Sequence, residues 1–262
     1  MVPQEQFREL LRYAQDREVE NEKRLRDYTY IEREEQHKLD GKGEVKKVQT
    51  RTSEVLEVYG EPVERLIAKD DKPLPEEEAK KEDEKIQKII DKRKNESEGE
   101  RRKRVEKEEK EREEDRKFVL EIADAFNFHL VGSEEMNGRD TWVIDCEPRA
   151  DYQPRERETR ILSKFKGRLW IDKQEGQWVK FDITAIDTVS VGWFLVRLHK
   201  GARIVAEQVK INDEVWLPKH VSARVDARLA LVKGFNEEID ESYRDYKKFR
   251  AESRVTAVGD PQ

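Results

Sequence analysis

The chain has 262 residues, 44% of them Asp, Glu, Lys or Arg and only 35% hydrophobic; 54 basic against 60 acidic residues give a formal net charge of −6. No apolar run approaches the roughly 20 residues of a membrane-spanning helix, the charge balance disfavours nucleic-acid binding through net charge, and a single cysteine excludes an intrachain disulfide. Four scattered histidines suggest no metal site, whereas five tryptophans and nine phenylalanines can supply a core.

Phe7, Leu10, Leu11 and Ala14 recur at three- and four-residue spacing, which predicts an amphipathic helix over about 3–24. From Tyr28 the period changes to two, with Tyr28, Tyr30, Glu32 and Glu34 on one side of a strand. Asp40-Gly41-Lys42-Gly43 signals a turn, Val45–Tyr59 a second strand, Gly60-Glu61-Pro62 another turn and Val63–Lys69 a third strand.

Between Glu76 and Lys117, 33 of 42 residues are charged. Pairs such as Glu84–Lys88 and Glu106–Lys110 place an acid four residues before a base, which favours helix. Pro75 suits a first turn, and Asn95-Glu-Ser-Glu-Gly99 interrupts the run. Two helices are expected, over 75–94 and 98–124. Ile86, Ile89 and Ile90 give the first a narrow apolar stripe. The pair reads either as an arm that docks on a partner or as a solvated surface excursion, the second being the simpler.

Beyond it the strands return. Phe126–Met136 and Arg139–Glu147 flank Asn137-Gly138, a strong hairpin signal. Gly167–Lys173 and Gln177–Asp187 flank Gln174-Glu175-Gly176. Ala202–Ile211 turns at Asn212-Asp213-Glu214 into Val215–Val232, and Glu238–Arg250 closes the series. A meander of about ten strands with one apolar face curls, because strands twist. Its concave face needs filling by the first helix and by the segment Phe118–Phe126. Ala202, Ala206, Ala223 and Ala227 leave room beneath a helix or a ligand.

Gly167-Arg-Leu-Trp-Ile-Asp-Lys173 with Gln177-Trp-Val-Lys-Phe181 resembles the Gly-x-x-Trp-Ile-Asp strand and its partner in the outer-membrane lipoprotein-sorting (LolA-like) superfamily. Asn212-Asp-Glu-Val-Trp-Leu-Pro-Lys219 resembles that superfamily's Trp-Leu-Pro strand start, and the first helix followed by Asp27-Tyr-Thr-Tyr-Ile31 fits as well. The chain is similar to an uncharacterised bacterial branch, over roughly 1–70 and 118–255. The resemblance implies an α+β, mainly β, fold: a strongly curved antiparallel sheet forming an incomplete β-barrel plugged by helices. It implies one domain over 1–262, with 75–124 as a charged helical insertion. It further implies a non-enzymatic periplasmic carrier of a lipid, a lipoprotein acyl chain or another hydrophobic ligand. Relatives that sense envelope stress supply the alternative, a protein-interaction module with a self-filled cavity and the charged helices as partner surface. The start, Met1-Val2-Pro3, carries no export signal and taken literally suggests the cytoplasm. The resemblance implies instead a mature segment whose signal peptide is absent.

Candidate ligand contacts follow. Trp170 and Trp178 are expected to face each other across their hairpin, as a stabilising aromatic pair or as a cavity wall. Val191–Val196, with Trp193, Phe194, Leu195 and Val196, is the most apolar loop-like segment and fits contact with a lipid, a bilayer surface or a protein, or a tucked-in lid. Ala223 and Ala227 complete the set. Cys146, beside Ile144 in an alternating strand, reads as a buried small residue. No Gly-x-Ser-x-Gly, His-Glu-x-x-His or phosphate-binding glycine loop is present, so no catalytic residue, metal or cofactor is expected. Acids cancel the field of Arg101-Arg-Lys-Arg104, which argues against nucleic acid. The partners expected are a hydrophobic ligand or lipoprotein and an envelope protein, with membrane contact at most peripheral.

Overall fold

The computed structural model describes residues 4–59, 61–191, 196–229 and 233–248. Helix α1 (Gln4–Leu25) leads into β1 (Tyr28–Leu39), β2 (Val45–Val58), β3 (Glu61–Lys69) and the short β4 (Lys72–Pro73). Helices α2 (Glu76–Lys94) and α3 (Glu98–Ala125) follow, and α3 runs directly into β5 (Phe126–Met136) and β6 (Arg139–Pro148). A short 3-10 segment over Glu158–Lys164 precedes β7 (Phe165–Asp172) and β8 (Trp178–Ala185). The strands β9 (Val189–Val191), β10 (Val196–Leu198), β11 (Arg203–Ile211), β12 (Val215–Leu229) and β13 (Lys233–Lys248) complete the described chain.

The strands form one curved antiparallel sheet in the order β4-β3-β2-β1-β13-β12-β11-β8-β7-β6-β5, with β10 appended to β12 and β9 to β10. The edges β4 and β5 do not pair with each other, so the barrel is not closed. β13 docks beside β1 along nearly its whole length, from Tyr28 opposite Lys248 to Lys38 opposite Glu237. The long turns are the ones the sequence signals: Asn137 and Gly138 both have positive φ (53° and 75°), as do Asn212 and Asp213 (50° and 56°), the backbone that Asn, Asp and Gly tolerate best.

Register defines the two faces. Leu169, Phe181, Ala206, Val221, Glu241, Glu34 and Arg51 are successive partners from β7 to β2. This face is apolar over β5–β8 and β11 and becomes charged over β13, β1 and β2. The opposite face carries cross-strand ion pairs, Arg168 with Asp145 at 2.6 Å and Arg203 with Asp182 at 2.7 Å.

Helix α1 covers part of the apolar region. Phe7 is fully buried and stacks on Phe128, ring centroids 3.5 Å apart, amid Phe126, Ile144, Cys146, Leu162 and Ile171. Near the other end of α1, the Asn21 side chain accepts the Trp216 N–H and donates to the Trp216 carbonyl, each at 2.7 Å. It thereby pairs with β12 much as a neighbouring strand would. Gly176 (φ +66°) lets the helix come this close, because a Cβ there would meet Tyr13 and Leu10 at 3.1–3.2 Å.

The Trp-Ile-Asp and Trp-Leu-Pro segments meet in one polar node at the turn end of the sheet. Asp172, fully buried, accepts two hydrogen bonds from Arg139 (2.7 and 3.1 Å) and one each from the N–H groups of Gln174 (3.0 Å) and Glu175 (2.7 Å). Glu175 in turn accepts from the Trp216 indole at 2.8 Å and from Lys210. Asp172, Glu175 and Trp216 thus fix the turns at this end of the sheet.

The insertion differs from a purely solvated excursion. Ile86, Ile89 and Ile90 of α2 pack on Leu56, Val58 and Val63, so α2 is stapled to β2 and β3. Ser97 caps α3 in a capping box with Glu100, and Glu96 holds Arg104 through two 3.0 Å bonds across the corner. The ion pairs along α3 also depart from the acid-before-base order. Arg102–Glu106, Arg104–Glu108, Lys107–Glu111 and Lys110–Glu114 run base before acid, whereas Glu113–Lys117 runs the other way.

One expected pairing is corrected. Trp170 and Trp178 do not face each other. A register shift places Lys180 opposite Trp170 and Trp178 opposite Ile171. Trp170 packs with Val143, Val179 and Trp216 on the ion-paired face, its indole donating to Glu134 at 2.8 Å.

The Asp172 node yields a stability test. Burial alone would raise the Asp172 carboxyl, but Arg139 and the two backbone donors outweigh it and hold the group below the usual range. A carboxylate lowered in the folded state contributes stability above its unfolded pKa, and that contribution is lost as pH falls toward the folded value. Asp172→Ala removes the nearer carboxylate partner of Arg139, leaving Glu175 at 3.3 Å, and removes the acceptor of the Gln174 and Glu175 N–H groups; it is expected to cost about 3 kcal/mol in urea unfolding at pH 7. Asp172→Asn should flatten the acid limb of the stability curve.

Candidate functional site

The apolar region of the sheet is wider than the helices over it. Between them lies a cavity of 1190 Å³. Its sheet wall is Leu169, Ile171, Trp178, Phe181, Ile183 and Ile204. Its helix wall is Leu10 and Ala14 of α1 with Phe118 and Ile122 of α3, and Leu162, Phe165, Val189 and Leu198 close one end. The sheet-wall residues alternate on neighbouring strands: Leu169 pairs with Phe181, and Ile183 with Ile204. Gly167, opposite Ile183, contributes no side chain to the floor, and a Cβ there would run into the Asp182 carbonyl at 2.4 Å. The cavity thus adjoins a densely packed cluster around Phe7 and Phe128 without being filled by it.

Helix α3 is both wall and rim. Its C-terminal end is fixed by Glu121, which is 4% exposed and accepts from the Tyr152 hydroxyl (2.6 Å), the Arg155 N–H (2.8 Å) and the Thr159 hydroxyl (2.9 Å). Burial would raise that carboxyl, but these three donors hold it below the usual range. Over the preceding two to three turns, Arg112, Glu113, Arg116 and Lys117 border the cavity. The arrangement offers an apolar volume behind a charged lip. It offers no nucleophile with a base, and no group of side chains suited to a metal ion occurs among the described residues.

Further along the same face the character changes. Glu32 lies between β2 and β13, where burial and the like charges of Glu64, Glu241 and Glu34 push its carboxyl up to about 7. Tyr30 and Tyr246 meet beside it at a centroid distance of 5.2 Å. This region does not extend the apolar wall.

Of the residues singled out in the sequence, Trp178 lines the cavity and Trp170 lies on the opposite face. Ala223 pairs with Ile204, one strand beyond the cavity wall, and borders a separate hollow of 440 Å³ with Arg203, Arg224 and Glu238. Ala227 sits in β12 opposite Leu198. Val196 opens β10, and Trp193, Phe194 and Leu195 lie outside the described residues. Leu169, Phe181, Ile183 and Ile204 were not among the residues singled out, because both faces of the hairpin that carries the first three hold apolar bulk and nothing in the sequence marks a void. Phe118 and Ile122, spaced by four residues, were the local signal for α3's share of the wall.

Cys146 also lines the cavity, and burial pushes its thiol up to about 12. It is a buried small residue of the wall, and its low thiolate fraction makes it inert.

Comparison with protein-family models finds no match, and neither does comparison with curated proteins. Among solved structures, the chain is similar to a putative outer membrane lipoprotein-sorting protein domain from Vibrio parahaemolyticus, at 12% identity and a TM-score of 0.36, covering 90% of this chain and 91% of that one. It is similar to a LolA superfamily protein from Nitrosomonas europaea (9% identity, TM-score 0.31, covering 90% and 94%) and to a DUF1329 family protein from Desulfovibrio piger (10%, 0.32, 90% and 91%). The strand order and the helix-covered face define the fold independently of these superpositions.

The wall thiol gives a direct check on burial. At pH 8 a thiol titrating near 12 holds about a thousandfold less thiolate than an ordinary cysteine. Cys146 should therefore react with an aromatic disulfide reagent at least that much more slowly in the native protein than in urea. Equal rates would place the thiol in solvent.

Proposed function

We propose that the chain is a non-enzymatic binding or carrier protein that accommodates a lipid, a lipoprotein acyl chain or another long hydrophobic ligand between α1, α3 and the sheet. The observation that carries this reading is the 1190 Å³ apolar cavity, somewhat above the roughly 300–1,000 Å³ of ordinary small-molecule pockets. Each methylene moved from water into it contributes about 0.8 kcal/mol, so a chain of moderate length binds without any directional contact. A periplasmic location and a single domain over 1–262 with 75–124 inserted belong to the same reading, and they follow the LolA-like resemblance of the strand motifs. No described helix is long and apolar enough to cross a membrane, and none is needed for a carrier.

The alternative, an envelope protein-interaction module with a self-filled interior, draws support from the exposed charged length of α3. The unfilled cavity weighs against it.

Filling the cavity tests the proposal. Ile183→Trp adds bulk to the sheet wall without removing a polar contact. A fluorescent long-chain probe should bind the unaltered protein with saturation and bind the variant at least tenfold more weakly, with the circular dichroism of both unchanged. Undiminished binding by the filled variant would place the ligand elsewhere.

A further inference from the structure

One joint of the sheet is built against its own charge. The pairing of β1 with β13 joins β1–β4 to the rest of the sheet. It places acid directly opposite acid at two consecutive positions, Glu34 against Glu241 and Glu35 against Asp240. Like charges opposed across an antiparallel pair weaken it, and consecutive positions fall on opposite faces. On the ion-paired face, the Glu35 carboxylate binds Arg33 at 2.8 Å and His37 at 2.6 Å, and Asp240 binds His220 at 2.7 Å. Arg33 is shared with Asp71, Arg224 is held by Glu238 at 3.3 Å and Arg203 by Asp182 at 2.7 Å. β2 places Thr50 and Val48 opposite Glu35 and His37. On the face that carries the cavity, Glu32 and Glu34 meet Glu64 of β3 and Glu241 of β13, with Arg51 of β2 as the cation opposite Glu34. Further along the same pairing, Gln36 and Lys38 reach Glu237 at 2.7 and 4.0 Å.

From these opposed pairs we infer that the β1–β13 joint is a pH-sensitive seam, held firmly in mild acid and loosened above neutrality. Two changes act in the same direction as pH falls. Histidine gains its charge between about pH 5 and 8, so His37 and His220 then set a positive charge on each member of the Glu35–Asp240 pair. Arg33 serves Glu35 at any pH, whereas the partner of Asp240 is the titrating imidazole. On the other face, burial and the surrounding acids push the Glu32 carboxyl up to about 7. Its repulsion of Glu34, Glu64 and Glu241 is present above that value, and is relieved as pH falls through it toward the unfolded value of about 4.3. The groups are partly exposed, so each pair contributes modestly and the response is their sum. The seam divides β7, β8 and β11, which wall the cavity, from β2 and β3, to which α2 is stapled. It thus stands between the ligand wall and the root of the helical insertion.

Amide hydrogen exchange, corrected for its intrinsic pH dependence, reads the joint directly. From pH 6 to pH 8 the protection of residues 31–38 and 237–244 should fall about fivefold, while that of β6 and β7, away from the joint, stays within about twofold. The double variant His37→Gln, His220→Gln should already show the weaker protection at pH 6. Glu32→Gln should act the opposite way and raise protection at pH 8. All three substitutions together should flatten the response, with the circular dichroism unchanged. An unaltered joint, or a change spread evenly over the sheet, would overturn the seam as the pH-sensitive element. A joint-specific change that persists undiminished in the triple variant would overturn these groups as its source.

Discussion

The structure depends on a mismatch of areas: an apolar sheet face broader than the two helices that cover it. A sheet of many strands cannot stay flat, and here it curves until one face becomes a trough. That trough must be shielded from water. Helix α1 shields the part around Phe128 and Ile171 completely, with Phe7 stacked into it. Over Phe181, Ile183 and Ile204 the helices roof an open-mouthed cavity rather than fill it. The proposed binding function rests on that remaining volume.

The charged insertion is part of this roof. It leaves the sheet at the β3–β4 edge, where α2 is stapled by Ile86, and returns as α3 at β5, the other edge. At 28 residues and about 1.5 Å per residue, α3 is long enough to act as a strap between the two edges of an unclosed barrel. Its last turns are apolar and anchored through Glu121 to the 149–164 segment, while its earlier turns are solvated. A helix of this kind has to be charged where it stands in water and apolar where it meets the trough. The switch from one to the other falls at Lys117–Phe118, on the lip of the cavity.

Much of this was legible in the sequence because it is local. The helix expected over 3–24 is Gln4–Leu25, and the pair expected over 75–94 and 98–124 is Glu76–Lys94 and Glu98–Ala125. The Asn137-Gly138 and Asn212-Asp213 turns stand where their positive-φ residues placed them. What is set at long range was not legible. The docking of β13 against β1 joins segments some two hundred residues apart and carries no local mark. The register shift that separates Trp170 from Trp178 inverted a reading based on strict alternation, because one extra residue moves every later side chain to the other face. Periodicity sorted the residues of β7 and β8 into two faces, both with apolar bulk, without telling which one points inward. It could not tell whether anything would fill the space in front of them, since a packed wall and a ligand wall have the same pattern.

The most direct test of a ligand-sized apolar cavity is native mass spectrometry of the protein isolated from cells under non-denaturing conditions. The carrier function predicts a population heavier than the bare chain, with the added mass removed by organic extraction and restored by incubation with a long-chain amphiphile. A protein that appears only at the mass of the bare chain, and takes up no such amphiphile after exposure to it, would contradict it.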